Sequence, residues 1–90
     1  MSLGAAMNAL VRSLGIDRKL REYDAVVRWE QIVGEQIARV TRPDQIVKGV
    51  LVVHVTASAW RQELTLRKTE IIRRLNEDLG EEVVKDIRFR

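Results

Sequence analysis

The stretch "DQIVKGVLVVHVT", residues 44–56, decides the fold. Two apolar runs flank Lys48-Gly49. In the second run Leu51, Val53 and Val55 fall on one side of an extended chain, and Val50, Val52, His54 and Thr56 on the other. Successive side chains of a strand point to opposite faces, and the first set is wholly apolar, which assigns it to a core. Gly49 supplies the positive φ that a tight hairpin turn needs. The stretch therefore predicts a β-hairpin, with Ile46 and Val47 in its first strand and Val50 to Thr56 in its second.

Upstream, Pro43 cannot continue a helix and biases Arg42 towards an extended conformation. It belongs before the first strand or on an edge. The preceding residues read as helix from about Arg18 to about Ala38. Leu20, Tyr23 and Val27 form one apolar stripe, and Val26, Trp29, Val33 and Ile37 an overlapping one. So wide an arc predicts packing on two neighbours, with Trp29 in the core. Gly34 within this helix costs about 1 kcal/mol against alanine. That predicts either a close backbone approach or the start of the last turn. Further upstream, Leu3, Met7, Leu10, Val11 and Leu14 recur at steps of three and four, the pattern of a first amphipathic helix. Gly15 suits its C-cap and Asp17 the N-cap of the next helix, so the two should meet at a corner.

Downstream, Ser58 is the expected N-cap of a third helix from about Ala59 to Leu79. Trp60, Leu64, Ile71, Ile72, Leu75 and Leu79 make its buried face. Glu63–Arg67 and Glu70–Arg74 are spaced as i,i+4 ion pairs. Gly80 ends the helix. A helix of that length, about 30 Å, crosses the sheet and returns the chain for a third strand, "EVVKDIRFR", residues 82–90. There Val83, Ile87 and Phe89 share a face interrupted by Lys85; Val84, Asp86, Arg88 and Arg90 take the other. The order α-α-β-β-α-β predicts an α+β two-layer sandwich, helices on one face of a small three-stranded sheet, with residues 1–90 as a single domain.

Composition narrows the function. The chain has no cysteine and one histidine, which excludes thiolate and histidine-cage metal sites. There is no G-x-S-x-G elbow, no G-x-G-x-x-G and no P-loop. His54 has no orienting partner in the sequence and reads as a strand residue on the solvent face. The expectation is no enzyme and no cofactor. The longest apolar run, Val50 to Val53, is far short of the roughly 20 residues a membrane span needs. No signal-peptide pattern opens the chain, so a cytoplasmic protein without membrane contact is expected.

A net charge of +3 is a small excess, so the placement of the cations matters more. On the third helix, Arg61, Lys68, Arg73 and Arg74 are candidate phosphate contacts. Read as one helix, Arg67 and Arg74 share a flank, Arg61 and Lys68 take the opposite one, and Arg73 faces outward. A second candidate surface is the sheet face away from the helices, lined by His54, Arg88 and Arg90 beside Val50, Val52 and Val84. It lacks the stacking aromatics of single-strand binders, since Trp29 and Trp60 fit buried helix faces. Arg39 and Arg42, beside the exit at Pro43, complete the set.

Read together, "WEQIVGEQIA", "TRP", "GVLVVHVTASAW", "QEL", "RLNEDLG" and "IRFR" resemble the bacterial DciA-like family, long catalogued as a domain of unknown function with a suggested RNA-binding role. The likeness covers about Trp29 to Arg90. It rests on Trp29, Val33, Gly34, Pro43, Gly49, Trp60, Leu64, Leu75, Gly80 and Ile87. The resemblance implies a fold similar to K-homology domains and a non-enzymatic part in DNA replication. The partners it implies are the replicative DNA helicase and single-stranded or tailed DNA, with no ATP and no catalytic residues. Two alternatives are a general nucleic-acid-binding module, for RNA or DNA, and an interaction domain that dimerises through the open sheet face or an edge strand. K-homology RNA binders clamp the backbone with a G-x-x-G loop, which this sequence lacks. The sequence ends at Arg90, directly after the last predicted strand, whereas members with a loading role often carry a further basic or disordered segment.

Overall fold

The computed structural model describes residues 2–7 and 16–90. Helical residues 3–7 (α1) are followed by α2 (Ile16–Val33), α3 (Glu35–Ala38), β1 (Thr41–Val47), β2 (Val50–Val55), α4 (Ser58–Leu66), α5 (Lys68–Leu79) and β3 (Asp86–Phe89). The predicted apolar positions Leu10, Val11 and Leu14 lie outside the described residues, as do the Gly15 cap and the side chain of Asp17. Leu3 and Met7 are exposed.

The hairpin closes as its sequence requires. Lys48 (φ 52) and Gly49 (φ 81) both take positive φ, the conformation that suits a two-residue turn to the twist of its strands. A Cβ on Gly49 would also meet the Lys85 side chain at 3.1 Å. The sheet order is β1-β2-β3, with β1 antiparallel and β3 parallel to β2. Pro43 therefore sits on an edge strand. Between Pro43↔Val53 and Ile46↔Leu51 the register shifts. Two residues, Asp44 and Gln45, oppose Val52 alone, which is a β-bulge. A one-residue slip exchanges the faces of a strand, so the bulge turns Ile46 to the core side, opposite Leu51.

Leu51, Val53, Leu64, Leu75, Val84 and Ile87 are all fully buried. Each stabilises the fold by about 1.5–3 kcal/mol relative to an exposed side chain. Trp29 is buried with them, and its indole N–H donates to the Thr41 hydroxyl at 2.9 Å. That hydroxyl donates in turn to the Ile37 carbonyl at 2.8 Å. The relay ties α2, the end of α3 and the start of β1 together. Trp60 is only partly buried, packed at the margin of the core.

Four local expectations are corrected. The second helix stops at Val33 and restarts at Glu35, because Gly34 adopts φ 89, ψ 164. Nothing lies within 4 Å of a Cβ built there, so this glycine serves backbone conformation and not close packing. Leu20, Tyr23 and Val27 are exposed, and the buried side of α2 is Ala25, Trp29 and Ile32. The third helix breaks at Arg67 into α4 and α5, with Ala57 at its N-cap in place of Ser58. Finally, β3 starts only at Asp86, and Val84 is fully buried. The segment before β3 is irregular, so its side chains do not alternate, and Val84 turns inward.

Asn76 holds that irregular segment. Its Oδ1 accepts from the amides of Val83 (3.1 Å) and Val84 (2.9 Å), and its Nδ2 donates to the Val84 carbonyl at 2.8 Å. Gly80, in the left-handed conformation, caps α5 and starts the return. Asn76→Ala strands backbone groups at a buried position and is expected to lower unfolding free energy by at least about 2 kcal/mol, measured by urea denaturation. A loss within experimental error would show that the segment needs no such brace. Gly34→Ala forces alanine into a region that is nearly glycine-only and is expected to cost about 1–3 kcal/mol in the same measurement.

Candidate nucleic-acid interface

Helices cover one face of the sheet and leave the other open. Register places the open-face residues. Arg42 lies directly opposite His54, and cross-strand partners share a face. On the other side of β2, Val52 pairs with Arg88. Arg90 continues the ladder beside His54: its amide donates to the Val53 carbonyl at 2.8 Å, and its carbonyl accepts from the Val55 amide at 2.7 Å. Arg42, His54 and Arg90 thus form a row across three strands, with Arg42 and Arg90 two strand spacings, about 10 Å, apart. Arg88 stands one alternation further along β3.

The face is concave, with a depression of about 420 Å³. Val47, Val50 and Val52 form its apolar part, and Lys48, His54, Arg88 and Arg90 its basic margin. Asp44 brings the one carboxylate on the lining, with its Oδ2 at 3.3 Å from His54 Nε2. The bulge places Asp44 there. Arg42, Arg88 and Arg90 make no side-chain hydrogen bond or ion pair among the described residues.

The cations of the helices are engaged differently. Arg61 is part of the structure: its guanidinium donates to the Val55 carbonyl at 3.2 Å and its Nε is buried. Lys68 reaches Asp86 at 3.3 Å. Arg39 pairs with Glu35 at 2.6 Å and Arg67 with Glu63 at 2.8 Å. Glu70, expected to pair with Arg74, bonds Arg73 instead, and Arg73 also reaches Glu77 at 2.6 Å. The hydrogen bond from Arg73 holds the Glu70 carboxyl below its usual range, and both carboxylates hold Arg73 more firmly protonated. Exposed pairs of this kind add little stability. They nonetheless occupy the donors that a phosphate would need.

The predicted cations therefore divide. Arg42, Arg88 and Arg90 are brought together on the open face, Arg39, Arg61, Lys68 and Arg73 are held by partners, and Arg74 stands apart on α5. Because the helix breaks at Arg67, Arg61 and Lys68 do not share the flank of one continuous helix. Val84 is absent from the open face for the reason given above. Lys48 on the rim was not foreseen as a site residue, and only its turn position signals where it projects. Among the described residues there is no group of metal-ligating side chains and no helix long and apolar enough to cross a membrane.

These features define a small two-layer α+β protein with one open, basic sheet face. Over residues 2–89 the chain matches the family model described as Dna[CI] antecedent, DciA. It is 33% identical to a UPF0232 protein of Rhodococcus jostii, over 96% of this chain and 46% of that protein. It is 37% identical to one of Streptomyces avermitilis, over 94% of this chain and 48% of that protein. A third, from Streptomyces coelicolor, is 34% identical over 98% of this chain and 47% of its own length. The chain belongs to the DciA family, and it spans about half the length of these curated relatives.

Arg61→Ala removes the side-chain donor from the Val55 carbonyl and is expected to lower stability by about 1–3 kcal/mol, read by thermal or urea unfolding. An unchanged midpoint would return Arg61 to the set of surface cations.

Proposed function

We propose that this chain is a non-enzymatic DNA-replication adaptor, which engages the replicative helicase and contacts single-stranded DNA through its open sheet face. Family membership supports the replication role. The observation that carries the DNA contact is the cluster of Arg42, Arg88 and Arg90, free of carboxylate partners, at one end of a concave face.

A single strand laid across β1–β3 would set its phosphates on this row and its sugars and bases on Val50 and Val52. Guanidinium groups suit phosphate oxygens because they offer several donors in a fixed plane. No Phe, Tyr or Trp lines the depression, so base stacking adds little and binding is expected to be weakly sequence-dependent. A clamp of the K-homology kind is not part of this reading. Arg67 alone joins α4 to α5, and no G-x-x-G is present.

The double charge reversal R88E/R90E is expected to weaken oligo-dT binding about 10-fold or more and to flatten the slope of log affinity against log salt by one to two units. The reversal of Arg73 and Arg74 is expected to change affinity less than about threefold. Equal losses from both pairs would mean non-specific attraction, and loss only from the α5 pair would move the interface to the helices. In a pull-down with the replicative helicase, no complex at tens of micromolar would remove the helicase and leave a general nucleic-acid-binding module.

A further inference from the structure

A second surface is left over once the core and the open face are assigned. Leu20, Tyr23 and Val27 on α2 are 59%, 67% and 59% exposed. At about 100° per residue they fall within roughly 60° of one another, on the side of α2 away from Ala25, Trp29 and Ile32. Single exposed apolar residues need no explanation, but an aligned set on one helix face does. The steps of three and then four are those of a two-stranded coiled-coil seam.

The flanks of this seam carry opposite charges. Lys19, one residue before Leu20, lies on one side, and Asp24, four residues after it, on the other; both are exposed. Lys19 makes no ion pair among the described residues, and Asp24 makes only a long one, 3.8 Å to Arg28. These are the positions that face each other across two parallel helices. Antiparallel pairing would instead bring each flank against its own kind, with Asp24 facing the acidic flank of the other helix.

We propose that α2 is a self-association surface. Two copies of this chain pair α2 in parallel along Leu20, Tyr23 and Val27, with Lys19 of each copy against Asp24 of the other. The seam covers two helical turns, well short of the roughly 800 Å² per partner of a stable interface. The dimer is therefore weak in free solution and forms where copies are concentrated, on one strand of nucleic acid or on an oligomeric partner.

Sedimentation equilibrium of the chain up to about 1 mM tests this. A monomer–dimer equilibrium is expected, abolished by Tyr23→Lys. K19D and D24K should each raise Kd about 10-fold, and the double variant K19D/D24K should restore it, because the pair is re-formed with reversed signs. All three positions are exposed, so circular dichroism should show unchanged helix content. The chain has no cysteine, and Tyr23→Cys is expected to form a disulfide-linked dimer under oxidation. A monomer at every concentration overturns the proposal. So does a dimer that survives Tyr23→Lys, which would lie on another surface, such as the open sheet. Failure of the double variant to recover overturns the parallel pairing. None of these readouts depends on nucleic acid, so they stand apart from the test of the open face.

Discussion

The central strand β2 is the constraint on which the rest depends. It carries both ladders of the sheet, antiparallel to β1 and parallel to β3. Leu51, Val53 and Val55 are buried on one of its faces, while Val50, Val52 and His54 stay partly open on the other. Sliding this strand by one residue would exchange the two faces, so burial of three side chains fixes the register of its neighbours as well. Arg42, Arg88 and Arg90 occupy one end of the open face because that register puts them beside His54 and Val52. Core packing and the clustering of charge are thus two results of one pairing.

How much was legible in the sequence follows from the range of the forces involved. The alternation in β2, the Lys48-Gly49 turn and the edge position of Pro43 are properties of a few neighbouring residues, and the structure bears them out. The placement of Arg88 and Arg90 on the open face followed from alternation alone. Gly34 was conspicuous, but propensity does not distinguish a glycine packed under a backbone from one held at φ 89. Val84 was misplaced because alternation was extended through a segment that Asn76 holds out of the strand. An asparagine in the last turn of the helix is the available signal, since such residues often bond nearby backbone. The pairing of Glu70 with Arg73 in place of Arg74 is a choice between i+3 and i+4 rotamers, which sequence spacing leaves open. The exposure of Leu20, Tyr23 and Val27 depends on what packs against α2, which no local pattern records.

Partnering of the surface cations, more than their number, separates the two candidate surfaces. The helix face holds more basic residues, yet most donate to carboxylates or carbonyls of the same chain. The open face holds fewer, with donors directed to solvent beside an apolar floor. The cations of the helices are thus largely engaged within the chain, while Arg42, Arg88 and Arg90 on the open sheet face stay exposed.

The most direct test of this account is a titration of the isotope-labelled chain with a short oligo-dT, followed by amide chemical shifts. The largest shifts are predicted at Arg42, Val52, His54, Arg88 and Arg90, with α5 nearly unchanged. Shifts centred on Arg73 and Arg74, with the open sheet face silent, would contradict it.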